Sequence, residues 1–391
     1  MEPDAKKATH VPTAAARGTT VANRRGMSNA LSRADFCRLS LSSLLGASAC
    51  HRDPAPHPDR DTLPASAPPS AAAPQASASA TKAKTSDVPK RKLGSTGQEV
   101  SMLGLGGAHI GDKDKLSDSE AIELMHAAID GGITFFDNCW DYNEGNSEER
   151  MGKALQGGYR HRVFLMTKLD GRTARAATAQ LEQSLKRLQT DVIDLVQVHE
   201  VIRTTDPGRC FAPDGVIGAL QAAKKAGKLR FIGFTGHKDP AIHLAMLEAA
   251  AKAGFAFDTV QMPLNVMDAH YKSFEANVLP VLQARGIGVL GMKSMGSGDI
   301  LKSGVVTAEE CLRYSLSLPT SVVITGIDSR QVLEQDLKLA RDFVPLTGEE
   351  RSRLLARTAD ASAEGKHELF KTANKYDGTA KHPKWLESAE L

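Results

Sequence analysis

Three apolar runs in the middle of the chain, ITFFD (133–137), VFLMTK (163–168) and DVIDLVQVH (191–199), each end in one reactive polar side chain. These side chains are Asp137, Lys168 and His199, and Tyr142 follows Asp137 by little more than one turn. Short apolar runs separated by helix-like stretches are the pattern of parallel strands buried on both faces. When such strands close into a βα barrel, their carboxyl ends converge on one rim, where catalytic groups collect. Four titratable groups remote in sequence are therefore expected to meet in one pocket.

The alternation extends beyond these runs. KRKLGSTGQEVSMLGLGG, from Lys90, reads as a hairpin turning at 95–97 and running into a first buried strand at 102–106. Ser117 and Glu120 form a capping box for a helix with Ile122, Met125 and Ile129 on one face, and Gly131-Gly132 ends it. Further strands are predicted at 229–236, 258–264, 286–292 and 321–326. Helices are predicted between strands at about 146–155, 173–188, 213–227, 239–253, 273–284, 307–317 and 329–342. Eight strands and eight helices within residues 89–345 match the usual size of a (β/α)8 TIM barrel. A doubly wound sheet would want Gly-x-Gly-x-x-Gly after its first strand, and GLGGAH is a poor substitute. The predicted fold is thus α/β, a TIM barrel with an N-terminal hairpin and a C-terminal tail. That tail, 346–391, starts as a helix at Thr347 and becomes polar and loop-rich. It suits either a lid over the catalytic rim or a bottom-face appendage.

The first ninety residues differ in kind. LPASAPPSAAAPQASASA (63–80) buries too little apolar surface to offset its ordering entropy, so 51–88 reads as a disordered Pro/Ala/Ser linker. Within the extension 1–50, the segment 27–50 has the layout of a secretory signal: Arg33 and Arg38, then LSLSSLLGASA, then Cys50. It resembles a twin-arginine signal with Ala34 in place of the second arginine, and Ala47–Cys50 resembles a lenient lipobox that would lipidate Cys50. Export to the periplasm or a lipid anchor is the expectation, with a cytoplasmic extension as the alternative. No run reaches the ~18 apolar residues of a spanning helix. A net charge of +3 with interspersed signs gives no argument for nucleic acid. The five cysteines (37, 50, 139, 210 and 311) show no metal-ligand spacing, so no metal is expected.

Each rim residue alone has an ordinary explanation: Asp137 as a helix cap, Tyr142 as packing, Lys168 as a surface ammonium, His199 as a satisfied rim histidine. Their joint occurrence after three consecutive strands favours chemistry. A tyrosine of ordinary pKa about 10 is a weak acid, and a nearby ammonium lowers that pKa. Asp137 supplies the counter-charge a buried lysine needs. A neutral histidine can donate to a carbonyl oxygen and orient it. Such a set protonates a developing alkoxide, while the hydride must come from a cofactor.

At this point the chain resembles the aldo-keto reductase superfamily over about residues 90–345. The resemblance is carried by RKLGSTGQEVSMLGLG, FFDNCWDYNEGNSEERMGKAL, MTK, IDLVQVH, AGKLRFIGFTGH and SVVITGIDSRQVLEQDLKLA, in the family's order. It implies a tetrad of Asp137, Tyr142, Lys168 and His199 and reduction of an aldehyde or ketone by NADP(H), with NAD(H) also admitted. By the same resemblance Gln261 faces the nicotinamide amide with Thr235 nearby, and Met292 falls where many relatives stack an aromatic ring. Lys293, Ser294 and Gly296 are expected at the pyrophosphate, with Gly107 beside the first strand. Gly326, Ser329, Arg330, Gln335 and Asp336 fall where the family holds the adenosine 2′-phosphate and adenine, Arg330 being the phosphate partner. Gln335-Asp336 stands where Glu-Asn is usual, and no second basic residue accompanies Ser329, which weakens any strict preference for NADP(H). His109, Trp140 and Glu200 are the expected substrate contacts. The oligomeric state is open. The rival readings are a nucleotide sensor on this fold with little turnover, and a non-redox barrel lyase.

Overall fold

The computed structural model describes residues 87–391. The signal-like segment, Cys50 and nearly all of the Pro/Ala/Ser stretch lie outside these residues. Among the described residues no helix is long and apolar enough to cross a membrane.

The chain opens with an antiparallel hairpin, β1 (Lys90–Lys92) and β2 (Glu99–Ser101), paired Lys90 to Ser101 and Lys92 to Glu99. Eight parallel strands then close into a barrel: β3 (Leu103–Gly106), β4 (Phe135–Asp137), β5 (Phe164–Leu169), β6 (Ile193–Val198), β7 (Leu229–Thr235), β8 (Thr259–Pro263), β9 (Gly288–Met292) and β10 (Val322–Gly326). The barrel closes where β10 pairs with β3, Gly326 opposite Gly106. The predicted (β/α)8 architecture is the observed one.

Strand alternation explains how the barrel is filled and why its rim is polar. Phe135, Phe164, Met166, Leu195, Leu290, Val322 and Ile324 pack together as an inner core. Their immediate neighbours Phe136, Leu165, Val196, Val289 and Val323 instead join the layer between strands and helices. Side chains two apart share a face, so Phe135 puts Asp137, and Met166 puts Lys168, on the inside at the carboxyl end. Leu93 and Val100 of the hairpin join the inner core. At Gly94 (φ +53°) a Cβ would stand 2.3 Å from the Gly288 nitrogen, so only glycine lets the hairpin approach β9 this closely.

The helices follow their signals. Ser117 with Glu120 caps Asp118–Asp130, and Thr307 with Glu310 caps Ala308–Ser317, each as a full capping box. The helix expected over 273–284 is two pieces, Phe274–Asn277 and Leu279–Ala284, with Pro280 opening the second. Thr347 and Glu350 cap Gly348–Thr358, after which the chain runs through short turns to its end. This tail lies on the catalytic rim. Asp377 Oδ1 is 2.8 Å from His237 Nε2, beyond β7. Glu200, beyond β6, accepts from Gly378 N (2.8 Å), Thr379 N (2.8 Å) and Thr379 Oγ1 (2.6 Å).

Candidate active site

The structure brings Asp137, Tyr142, Lys168 and His199 together. Lys168, at the end of β5, is buried and donates to Asp137 Oδ1, to the Asn138 oxygen at 2.8 Å and to Tyr142 Oη at 3.1 Å. Tyr142 opens a tight turn, Tyr142–Gly145, in which Asn143 and Glu144 hold positive φ. Its ring meets His199 edge-on at 6.0 Å. Asp137 uses its second oxygen to accept from Gln261 Nε2 at 2.7 Å.

The electrostatics correct one expectation. Burial pushes the Tyr142 phenol above its ordinary pKa, and the nearby Lys168 charge recovers only part of that shift. The phenol is thus held protonated instead of poised to ionise. Burial pulls Lys168 down, but the charge of Asp137 outweighs it and holds the ammonium above its usual value. Burial lowers His199, which keeps the imidazole neutral.

A cleft of about 370 Å³ runs from this cluster to the helix Arg330–Arg341. Asp137, Tyr142 and Gln261 line one part of it, and Gln335 and Asp336 another. Gln261 Oε1 is buried without a hydrogen-bond partner among the described residues. Between them lie Met292, Lys293 and Ser294 from the loop after β9, where Lys293, Gly296, Ser297 and Gly298 all have positive φ. That backbone curls into a concave stretch of the kind that receives anions. A buried amide oxygen awaiting a donor and a concave loop suit a nicotinamide dinucleotide.

Not every expected residue lines the cleft. Thr235 stands behind it, its hydroxyl 4.0 Å from Met292 Sδ, and Gly107 and Gly296 support the walls from one residue away. His109 and Gly326 do line it, and a Cβ on Gly326 would come within 2.2 Å of the His109 ring. Ser329 caps the last barrel helix by accepting from Val332 N. Arg330 sits in a separate outer groove with Glu120, Glu123 and Asp328, its Nε 3.4 Å from Glu334. Trp140 and Glu200 are structural where substrate contacts were expected. Trp140 is buried edge-on against Trp385 and donates to Gln183 (2.7 Å), while both Glu200 oxygens are committed to the tail.

Three residues outside the expected set stand beside His199, Cys139 with its Sγ 3.2 Å from Nδ1 and two carboxyls. Asp170 Oδ1 is 2.8 Å from its Nδ1, and Asp141 Oδ1 is 3.7 Å away. Burial and neighbouring carboxylates raise Asp170 to about 8 and Asp141 to about 7. Asp170 was legible: it lies two residues beyond Lys168, the interval that keeps a strand residue on the same face.

A model of the aldo/keto reductase family matches residues 102–307. YrpG, an uncharacterized oxidoreductase of Bacillus subtilis (strain 168), is 31% identical over 227 residues, which are 53% of this chain and 66% of that protein. The match therefore spans just under two thirds of that relative. The solved structure of Pseudomonas aeruginosa PA4992, assigned to the aldo-keto reductases, is similar with a TM-score of 0.53 and 27% identity, covering 64% of this chain and 94% of that one. The Bacillus halodurans aldo-keto reductase AKR11C1, in its holo form, shares the fold with a TM-score of 0.57 at 22% identity, covering 71% and 99%.

Proposed function

The chain belongs to the aldo/keto reductase family, and from that premise we propose that it is a nicotinamide-dependent oxidoreductase that reduces an aldehyde or ketone to an alcohol. The observation that carries the reading is the buried chain Asp137–Lys168–Tyr142, ending in a phenol that opens on the cleft.

When bound, the dinucleotide supplies the hydride. Gln261, with its free buried Oε1, would hold the carboxamide, and the loop from Met292 to Gly298 the pyrophosphate. The protein's own groups handle the proton. Tyr142, kept protonated by burial, donates from Oη to the substrate oxygen as negative charge develops there. Lys168 stabilises the phenolate left behind, and Asp137 holds Lys168 in position. His199 presents Nε2 to the same oxygen. A protonated Asp170 carboxyl donates to Nδ1 and so leaves the ring proton on Nε2.

We further propose that NAD(H) is accepted at least as well as NADP(H). Arg330, the expected 2′-phosphate partner, is engaged with Glu334 in the outer groove. Asp336 lines the cleft, where its Oδ2 accepts from Thr325 at 2.9 Å. A carboxylate there favours a ribose hydroxyl and opposes a phosphate. The test is oxidation of NADH and NADPH with a panel of aldehydes and ketones. Binding of either nucleotide without carbonyl-dependent oxidation by any member would sink the reductase and leave a sensor.

A further inference from the structure

The proposed reduction uses the Nε2 side of His199, and its Nδ1 side faces three groups that the reaction does not consume. Cys139 Sγ lies 3.2 Å from Nδ1, Asp170 Oδ1 2.8 Å and Asp141 Oδ1 3.7 Å. One ligand atom from each residue can be chosen so that all four lie within 4.8 Å of one another. They come from the ends of three neighbouring strands: Cys139 and Asp141 follow β4, Asp170 follows β5 and His199 follows β6. Arg172 fixes the surrounding backbone, donating from Nη1 to the Asp170 oxygen (2.7 Å) and from Nη2 to the oxygens of His199 (2.7 Å) and Glu200 (2.9 Å).

The polar atoms around this point are not all satisfied. Among the described residues, His199 is the one ion-pair partner of Asp141 and of Asp170. Lys168 is committed to Asp137, and the Arg172 Nε to Asp206 at 3.0 Å. Asp170 is fully buried, yet its Oδ2 has no hydrogen-bond partner among the described residues, and neither has Asp141 Oδ1. Buried carboxylates are ordinarily paired or bound to metal.

We infer that Cys139, Asp141, Asp170 and His199 Nδ1 form a binding site for a divalent ion of the zinc class. One sulfur, one imidazole nitrogen and two carboxylate oxygens are ligands zinc accepts, and hard cations such as magnesium prefer oxygen alone. Zinc bond lengths imply ligand separations of roughly 3.3–3.6 Å in a tetrahedron, so the four atoms need only small side-chain rotations. The ion takes the thiolate and the Asp170 carboxylate, and the protons of Cys139 and Asp170 leave to solvent. It takes the Nδ1 lone pair as well, which leaves the ring proton on Nε2. Asp141 and His199 keep slight solvent access, at 13% and 11% of their side chains, and give the ion its way in. The site stands on geometry independent of the reductase reading.

The test is titration of metal-free, full-length protein with Zn²⁺ against a chromogenic chelator, repeated with Co²⁺. A thiolate on cobalt gives a charge-transfer band. One ion per chain is expected, with that band present. Cys139→Ser should abolish the band, and Asp170→Asn should weaken binding by about 10–100-fold, the variants' folding being checked by circular dichroism. Absence of stoichiometric binding in the wild type, or a band that persists in Cys139→Ser, overturns the site. Should both variants misfold, X-ray absorption at the zinc edge of the wild type decides: a shell of sulfur with nitrogen and oxygen supports the site, and a shell lacking sulfur overturns it.

Discussion

Lys168 Nζ stands 3.1 Å from Tyr142 Oη while also bonded to Asp137, so this buried ammonium ties the acid to its counter-ion. Removing the Tyr142 hydroxyl leaves the Lys168–Asp137 pair intact. Tyr142→Phe should therefore keep nucleotide affinity and lose turnover by about 10²–10⁴-fold, the usual worth of a positioned acid. Unchanged turnover alongside unchanged affinity would remove Tyr142 from the chemistry.

Lys168→Met has a second consequence. It strands Asp137 in a buried site, and breaking a buried pair from one side costs about 3–5 kcal/mol. Loss of activity in that variant should come with a clear fall in melting temperature. The double variant Lys168→Met, Asp137→Leu should recover part of the stability and none of the activity. A Lys168→Met protein that melts with the wild type would show that water reaches Asp137.

Glu200 ties the tail to the rim through three hydrogen bonds, from Gly378 N, Thr379 N and Thr379 Oγ1. Bonds to a charged acceptor contribute about 1.5–3 kcal/mol each. Glu200→Ala should release the tail locally, raising amide exchange over about residues 376–388 while β5 and β6 stay protected. Uniform exchange across the barrel would mean instead that Glu200 supports the whole fold.

The barrel was legible because its information is local. Apolar runs ending in Asp137, Lys168 and His199 marked strands whose ends share one rim, and the capping box at Ser117 announced a helix start. What resisted were groups whose role depends on residues far away in the chain. Glu200 meets Gly378 and Thr379, and Trp140 meets Trp385, across separations no periodicity encodes. Arg330 was placed by the family resemblance alone. Its side chain turned out to follow the helix surface toward Glu334, an i,i+4 pairing visible in the sequence. Spacing rules for metals look along one segment, so a site of the kind inferred above, with Cys139, Asp170 and His199 arriving from three strand ends, lies beyond their reach.

Lys293 makes the cleft sensitive to pH. Burial lowers its pKa to about 8, against the opposing charges of Glu200, Asp377 and Asp299 and with Lys168 adding to the shift. The rings of Tyr376, at 4.5 Å, and Phe370, at 5.9 Å, cover its ammonium. A bound pyrophosphate raises that pKa, so affinity is full below pH 8. It should fall above 8, by up to about tenfold per pH unit, until the bound-state pKa is passed. Lys293→Met should bind more weakly at pH 7 and flatten the profile. A wild-type dissociation constant that does not change from pH 7 to 10 excludes Lys293 from the phosphate contact.

Cofactor choice turns on Asp336 and Arg330, which occupy opposite situations. Arg330 is two-thirds exposed (66%) and paired with Glu334, so Arg330→Ala should leave the NADPH dissociation constant unchanged. Asp336 is buried, raised to about 6 chiefly by that burial, and therefore mostly ionised at pH 7. Its negative charge in the cleft wall should penalise a 2′-phosphate, and Asp336→Asn keeps the size and the Thr325 contact while removing that charge. The substitution should tighten NADPH on the order of tenfold, about 1.4 kcal/mol, and leave NADH nearly unaffected. Both nucleotides are measured for both variants by fluorescence quenching. If Arg330→Ala weakens NADPH while Asp336→Asn changes nothing, the 2′-phosphate reaches the outer groove and the preference reverts to NADP(H).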